Sequence, residues 1–282
     1  YYQSFSSTAP HKKAFLRFIP YQISAAPANG VLEGIANDTV LGGLVPDLTE
    51  DATDKPFNLL IVGSNLMDDY SCASVFAKIV KAADGRNVIS QYVRSSTFVI
   101  NNLVDEKNDL GLRAALSEQD WDAVVIQISR RCTKSATDVE ESELAALRAV
   151  MPLIKAETDK IFLFTLNSKS KPGIFTTAGG DPGYTDSGKK ETYSAAEGSA
   201  YFKALADRWA TEFGVGVINY GEAYLETSSP EKIDLGYLQA CMLYDSIFGK
   251  SLPETVKHTN GVAAAKAETL RKLAEEYCRK GN

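Results

Sequence analysis

From residue 57 onward, short apolar runs alternate with stretches in which apolar residues recur every three or four positions. The runs fall at residues 59–63, 87–93, 123–127, 160–166 and 214–220. They are rich in β-branched and aromatic side chains, the pattern of parallel strands covered on both faces. Between them Cys72, Phe76, Ile79, Val80 and Ala83 recur at helical spacing, as do Leu144, Leu147, Met151 and Ile154. Further helices are predicted over 193–213, with Leu205 and Trp209 inward, over 235–248, and over 262–277. The last is marked by Ala263, Ala267, Leu270, Leu273, Ala274 and Tyr277.

Strand–helix alternation of this kind requires right-handed crossovers. It predicts an α/β fold: a three-layer, doubly wound, flavodoxin-like sheet of five parallel strands in the order 2-1-3-4-5. Functional groups then gather beyond the carboxyl ends of the strands. Gly63 to Asn65, Gln127 and Asn167 are expected to converge there. The polar segment 167–192, with its Gly and Pro residues, follows one such strand end and reads as a rim or lid.

Residues 1–56 break the pattern. They are rich in Ser, Ala, Pro, Gly and Thr, with an apolar island at Ala14-Phe-Leu-Arg-Phe-Ile19 and an acidic, linker-like stretch at 46–56. We read them as an N-terminal extension that packs, through such islands, on a main domain of residues 57–282. Asn37-Asp-Thr39 fits the glycosylation pattern, a three-residue match that is common by chance. A first residue of Tyr1 rather than Met is read as a processed or trimmed chain.

Composition narrows the partners. The 282 residues are 44% hydrophobic and 23% charged, ordinary for a globular chain. A net charge of −6 without a dense Lys/Arg cluster argues against nucleic acid and anionic membranes as partners. No apolar run reaches the roughly 18 residues of a membrane span. The cysteines Cys72, Cys132, Cys241 and Cys278 form no CxxC pair, so no metal site is expected. Cys72 and Cys241 sit in helical apolar patterns and read as buried free thiols. There is no GxGxxG and no P-loop, and no cofactor is expected. Histidine is confined to His11 and His258.

Candidate chemistry lies at the strand ends. The first strand runs Asn58-Leu-Leu-Ile-Val-Gly63-Ser64-Asn65 and passes through Leu66-Met-Asp68-Asp69 into a helix. The third runs Trp121-Asp-Ala-Val-Val-Ile-Gln127, with Ser129-Arg130-Arg131 after it. Further on come Gly221-Glu-Ala-Tyr224 and the helix Leu235-Gly-Tyr-Leu-Gln-Ala-Cys-Met-Leu-Tyr-Asp-Ser-Ile-Phe248. Taken in order, these segments resemble the SGNH/GDSL-type hydrolase superfamily, and within it an exported bacterial branch. The likeness covers residues 57–280. It implies an ester-hydrolase scaffold and an exported, periplasmic or extracellular, location.

In that chemistry a serine attacks an ester carbonyl while a histidine takes its proton, and N–H groups with an amide side chain hold the oxyanion. This chain departs from the pattern at each reacting position. Asn65 stands at the family's nucleophile position, with Ser64 as the adjacent candidate. The family's base position falls on Ser229 or Pro230, within Glu226-Thr-Ser-Ser229-Pro230. An expected glycine near the second strand is replaced within Tyr92-Val-Arg94-Ser95-Ser96. Asp68 and Asp69 suit a helix start, where acidic groups are favoured anyway.

Three functions follow. The leading one is a domain that has lost ester hydrolysis and binds a glycan or cell-envelope material through Asn65, Arg94, Gln127 and Arg130. Tyr70 and Tyr92 would flank that cleft. The second is an active esterase or deacetylase that uses Ser64 or Ser95 with His11. The third is a structural or assembly component.

Overall fold

The computed structural model describes residues 55–64, 67, 70–95, 100–105, 107, 109–129, 136–168, 183–184, 190–191, 194–256 and 260–279. The extension (to residue 54) and most of segment 167–192 lie outside the described residues, and so do His11, His258 and Cys132.

Five strands form the main sheet: β1 (Phe57–Ser64), β2 (Val88–Ser95), β3 (Ala123–Gln127), β4 (Ile161–Phe164) and β5 (Gly216–Ile218). All are parallel, in the order β2-β1-β3-β4-β5, as the alternation predicts. A short antiparallel ribbon pairs Gly183–Tyr184 with Lys190–Glu191. The helices are α1 (Cys72–Asp84), α2 (Leu112–Glu118), α3 (Ala136–Lys155), α4 (Ala195–Phe213), α5 (Tyr220–Leu225), α6 (Lys232–Phe248) and α7 (Ala264–Arg279). Among the described residues, no helix is long and apolar enough to cross a membrane.

The period of two along a strand divides the core. Leu59 and Ile61 of β1, with Ala123 and Val125 of β3, pack with α1, α6 and α7. Leu60, Val62, Val124 and Ile126 enter the opposite core with α2, α3 and α4. Every residue of β1 and β3 is buried, so a continuous apolar run is what these positions need.

Coverage on both faces does not extend to β2. The strand order places it at the sheet edge, where it is largely half-buried or exposed, and Ile89 is 46% exposed. Its side chains serve two cores only in part: Val88 and Tyr92 reach one and Val93 the other. The stripe predicted for α3 holds: Leu147, Met151 and Ile154 are buried and Leu144 packs on the same core while partly exposed. The inward face is wider than predicted and also takes in Glu143, Ala146 and Val150. Ala263 is exposed and precedes α7.

Two glycines set how closely the elements approach the site. A Cβ on Gly236, in the first turns of α6, would lie 2.0 Å from the carbonyl oxygen of Tyr70. Only hydrogen fits there, so α6 rests directly on the backbone leading into α1. A Cβ on Gly63 would lie 2.9 Å from Cβ of Gln127 and 3.0 Å from its Oε1. Gly63 therefore lets the Gln127 side chain cross the end of β1.

Candidate active site at the strand ends

The β1 and β3 ends meet through one side chain. Gln127 Oε1 accepts a hydrogen bond from the Ser64 backbone N–H at 2.9 Å and another from Ser64 Oγ at 2.7 Å. The backbone contact fixes the orientation of the amide, because a backbone N–H can only donate. The oxygen must face β1, and the hydroxyl beside it must then donate its single proton to that oxygen. Both residues are buried, Gln127 to 2% exposure.

This arrangement bears directly on nucleophilic chemistry. A hydroxyl becomes a useful nucleophile when its proton goes to a base such as imidazole or carboxylate. An amide oxygen holds the proton in a hydrogen bond and does not take it.

The sheet register places some of the remaining predicted residues relative to this contact. In the parallel register Ser95 is the Cα partner of Ser64, and Arg94 that of Gly63. Arg94 is exposed at the edge of the sheet, and Ser95 is half-buried. Asn167 follows β4 at the same end: Gln127 pairs with Phe164 in the register, and Ile128 N–H bonds to Phe164 O at 3.0 Å. Ser229 and Pro230 occupy the turn just before α6, the place the resemblance gives to the base. Ser229 is exposed, with a left-handed φ of 44°. Ser71, immediately before α1, is likewise left-handed at 55°. Non-glycine residues in that region store backbone strain. Asn65, Asp68, Asp69, Arg130 and Arg131 lie outside the described residues.

The tyrosines expected to flank the cleft are both half-buried. Tyr92 Oη accepts from Ala73 N–H at 3.3 Å and donates to Met67 O at 3.4 Å. It therefore ties the β1–α1 turn to the sheet edge, and burial pushes its phenol up from the ordinary value. Cys72 and Cys241 are buried and free, as expected, and burial raises both thiols. Neither is a ready nucleophile. Among the described residues, no group of three or more His, Cys, Asp or Glu is placed to hold a metal ion.

One polar residue of this end was not among the candidates. Glu143, from the inward stripe of α3, is 4% exposed and neighbours Ser129, which is also 4% exposed and lies two residues past Gln127. Burial pushes the Glu143 carboxyl up from 4.5 to about 7, against the opposing pull of the Ser129 side chain and backbone. The sequence did carry a signal for it. Positions 143, 147, 150 and 154 form one helical stripe, and a carboxylate among Leu147, Val150 and Ile154 is out of place unless it is buried for a reason.

No family model matches the chain, and no curated protein matches it. Solved structures do align with it. A candidate SGNH hydrolase from Slackia heliotrinireducens aligns at a TM-score of 0.49 and 15% identity, covering 68% of this chain and 100% of that one. A catalytic mutant of an acetylxylan esterase from Geobacillus stearothermophilus aligns at 0.47 and 11% identity, covering 72% and 98%. A second mutant, described as an acetyl-xylooligosaccharide esterase from the same source, aligns at 0.43 and 13%, covering 80% and 95%. At these identities and TM-scores, activity has to be argued from the residues of this chain.

Proposed function

We propose that this chain is an SGNH-hydrolase-like domain that has lost ester hydrolysis and binds a neutral polar ligand, a glycan or related cell-envelope material, at its strand ends. The observation that carries the reading is the Ser64–Gln127 contact. The hydroxyl nearest the family's nucleophile position gives its proton to an amide oxygen at 2.7 Å. The amide at the nucleophile position itself, Asn65, cannot attack an ester. Ser229 and Pro230, in the turn that would carry the base, have no titrating side chain near neutral pH. Losing a triad serine or histidine costs about a millionfold in a serine protease, so replacing both is not a tuning change.

What the site retains is hydrogen-bonding capacity without a reactive centre. Buried amide and hydroxyl groups, with the half-buried Tyr70 and Tyr92 on the chain that follows β1 and on the neighbouring strand, suit a polyol better than an acyl chain. The resemblance adds an exported location to this proposal.

The test has two arms. Purified full-length protein is assayed on short acyl esters and is expected to show no turnover above background. Turnover that vanishes in Ser64→Ala, Ser95→Ala or His11→Ala would overturn the reading in favour of an active esterase. A glycan panel is expected to give weak binding that falls a few-fold in Gln127→Ala, the equivalent of about 0.5–1.5 kcal/mol for one hydrogen bond. An empty panel would favour the structural or assembly role.

A further inference from the structure

The two edges of the sheet are built differently. β5 is three residues long, whereas β2 runs for eight and carries Ile89 at 46% exposure. A long edge strand with an exposed apolar side chain is a template for pairing, and folds blunt or cover such an edge. The register shows which groups β2 offers. Phe57 N–H bonds to Asn87 O at 2.7 Å. Alternate residues of a parallel ladder turn their backbone groups to the same neighbour, so Ile89, Gln91 and Val93 follow Asn87 in facing β1. Val88, Ser90 and Tyr92 turn theirs outward, and among the described residues no strand meets them.

We propose that residues 14–19 of the N-terminal extension, Ala-Phe-Leu-Arg-Phe-Ile, dock on this edge as a sixth strand. The chain ahead of Lys55 enters the domain beside β2. Arg86, two residues before β2, holds Lys55 O at 2.7 Å and Pro56 O at 3.3 Å, and its guanidinium lies over the Phe57 ring. The outer side of β2 is two strand spacings from β1, about 10 Å. Residues 20–54 span that distance many times over at about 3.3 Å each. A segment of the same chain also meets the edge at an effective concentration on the order of millimolar, which a second copy does not reach in dilute solution.

Composition selects this segment over its neighbours. Phe15, Phe18 and Ile19 are of the aromatic and β-branched types that suit a strand. Residues 39–45, Thr-Val-Leu-Gly-Gly-Leu-Val, carry two glycines at their middle, where glycine weakens a strand. The period of two puts Ala14, Leu16 and Phe18 on one face, apolar throughout, and Arg17 on the other. The first suits the face of Ile89 and Val93, and the second that of the exposed Ser90. Lys12, Lys13, Arg17 and Pro20 would then blunt the new edge, as charge and proline do in natural sheets. A strand in that place walls the candidate site on its β2 side, because β2 ends with Ser95 in register with Ser64.

NMR of the full-length protein tests this without any ligand, so its outcome is separate from that of the glycan panel. Cross-strand NOEs are expected between the backbone protons of residues 14–19 and those of Val88, Ser90 and Tyr92. The Ser90 and Tyr92 amides should exchange about a hundredfold more slowly than their intrinsic rates. The double variant Leu16→Pro/Arg17→Pro removes two adjacent N–H donors, one of which faces β2 in either register. In it that protection should fall by about tenfold or more, while Val124, whose N–H bonds to Lys160 O inside the sheet, keeps its own. Unprotected Ser90 and Tyr92 amides in the wild type, protection that survives the double substitution, or NOEs from residues 39–45 instead would overturn the proposal. Protection that rises with protein concentration would give the edge to a second copy and overturn it equally. If the double variant does not fold, the wild-type NOEs decide alone.

Discussion

The two ends of the β1–β3 pair treat polar groups in opposite ways. At the amino end charge is paired and shared. Arg86 bonds to Lys55 O at 2.7 Å and Pro56 O at 3.3 Å, meets Asp122 at 3.4 Å and lies over the Phe57 ring. Asp122 in turn accepts from Asn58 N–H at 2.8 Å, and the Asn58 amide donates to Asp120 O at 2.7 Å. At the carboxyl end the Ser64–Gln127 contact is neutral, and the buried Glu143 carboxyl has no counter-charge among the described residues. The first end closes the sheet. The second leaves the Glu143 Oε2 and the Ser129 hydroxyl without partners, at the end where a parallel α/β fold places its ligands.

The largest effect expected from breaking this difference is at Glu143, and it depends on pH. Its folded midpoint lies near 7 and its unfolded one near 4.5. Between those values the folded state holds the proton that the unfolded state has lost. Stability therefore falls as pH rises through this window and levels off above it. Two and a half pH units correspond to about 3 kcal/mol, an upper value that any local opening would reduce. Glu143→Gln is expected to match the wild type near pH 4 and to exceed it by up to that amount at pH 8. Urea titrations at both pH values measure the difference. Equal stability at pH 8 would mean that the carboxyl is ionised or solvated in the fold.

A smaller effect is expected at Gly63, where the two strand ends fit together. A methyl group there meets Cβ of Gln127, an atom that no rotamer change moves away. Gly63→Ala is expected to destabilise the fold by about 1–3 kcal/mol, the usual range for overpacking, and to shift the Ser64 N–H resonance as its acceptor moves. Unchanged stability with an unchanged Ser64 resonance would mean that Gln127 is not held as described.

How far the sequence alone revealed this end of the molecule depended on the kind of signal. The parallel order 2-1-3-4-5 was legible because strand and helix periods are local and the crossover rule restricts the rest. The burial of β1 and β3 was legible for the same reason, since apolar runs such as 59–63 leave no wet face. The partial exposure of β2 was not, because Val88-Ile-Ser-Gln-Tyr-Val93 reads as apolar whether one neighbour covers it or two. Gln127 was picked out by its place at a strand end, but its partner was not. A hydrogen bond between residues 64 and 127 depends on register, and register depends on tertiary packing. Glu143 was missed by a single step along α3: its neighbour Leu144 looked the better core residue, and only the full stripe shows that the carboxylate points inward.

The smallest effect is expected at the amino end, and it separates charge from packing. Arg86 and Asp122 keep side-chain exposures of 23% and 30%, so solvent screens their attraction and leaves it a median worth of at most about 1 kcal/mol. The Arg86 side chain does more by covering Phe57 and satisfying two backbone carbonyls. Arg86→Ala should therefore cost about 1 kcal/mol, and the loss should barely change between low and high salt, because packing and hydrogen bonds to carbonyls are not screened. Asp122→Asn keeps an acceptor for Asn58 N–H and should cost less. If Arg86→Ala instead lost most of its effect at 1 M salt, the amino end would owe its closure to charge. Its contrast with the carboxyl end would then be one of ion pairing alone. If the loss is insensitive to salt, the amino end is held by packing and backbone hydrogen bonds, and its contrast with the carboxyl end lies in the buried Glu143 carboxyl, which no described cation offsets.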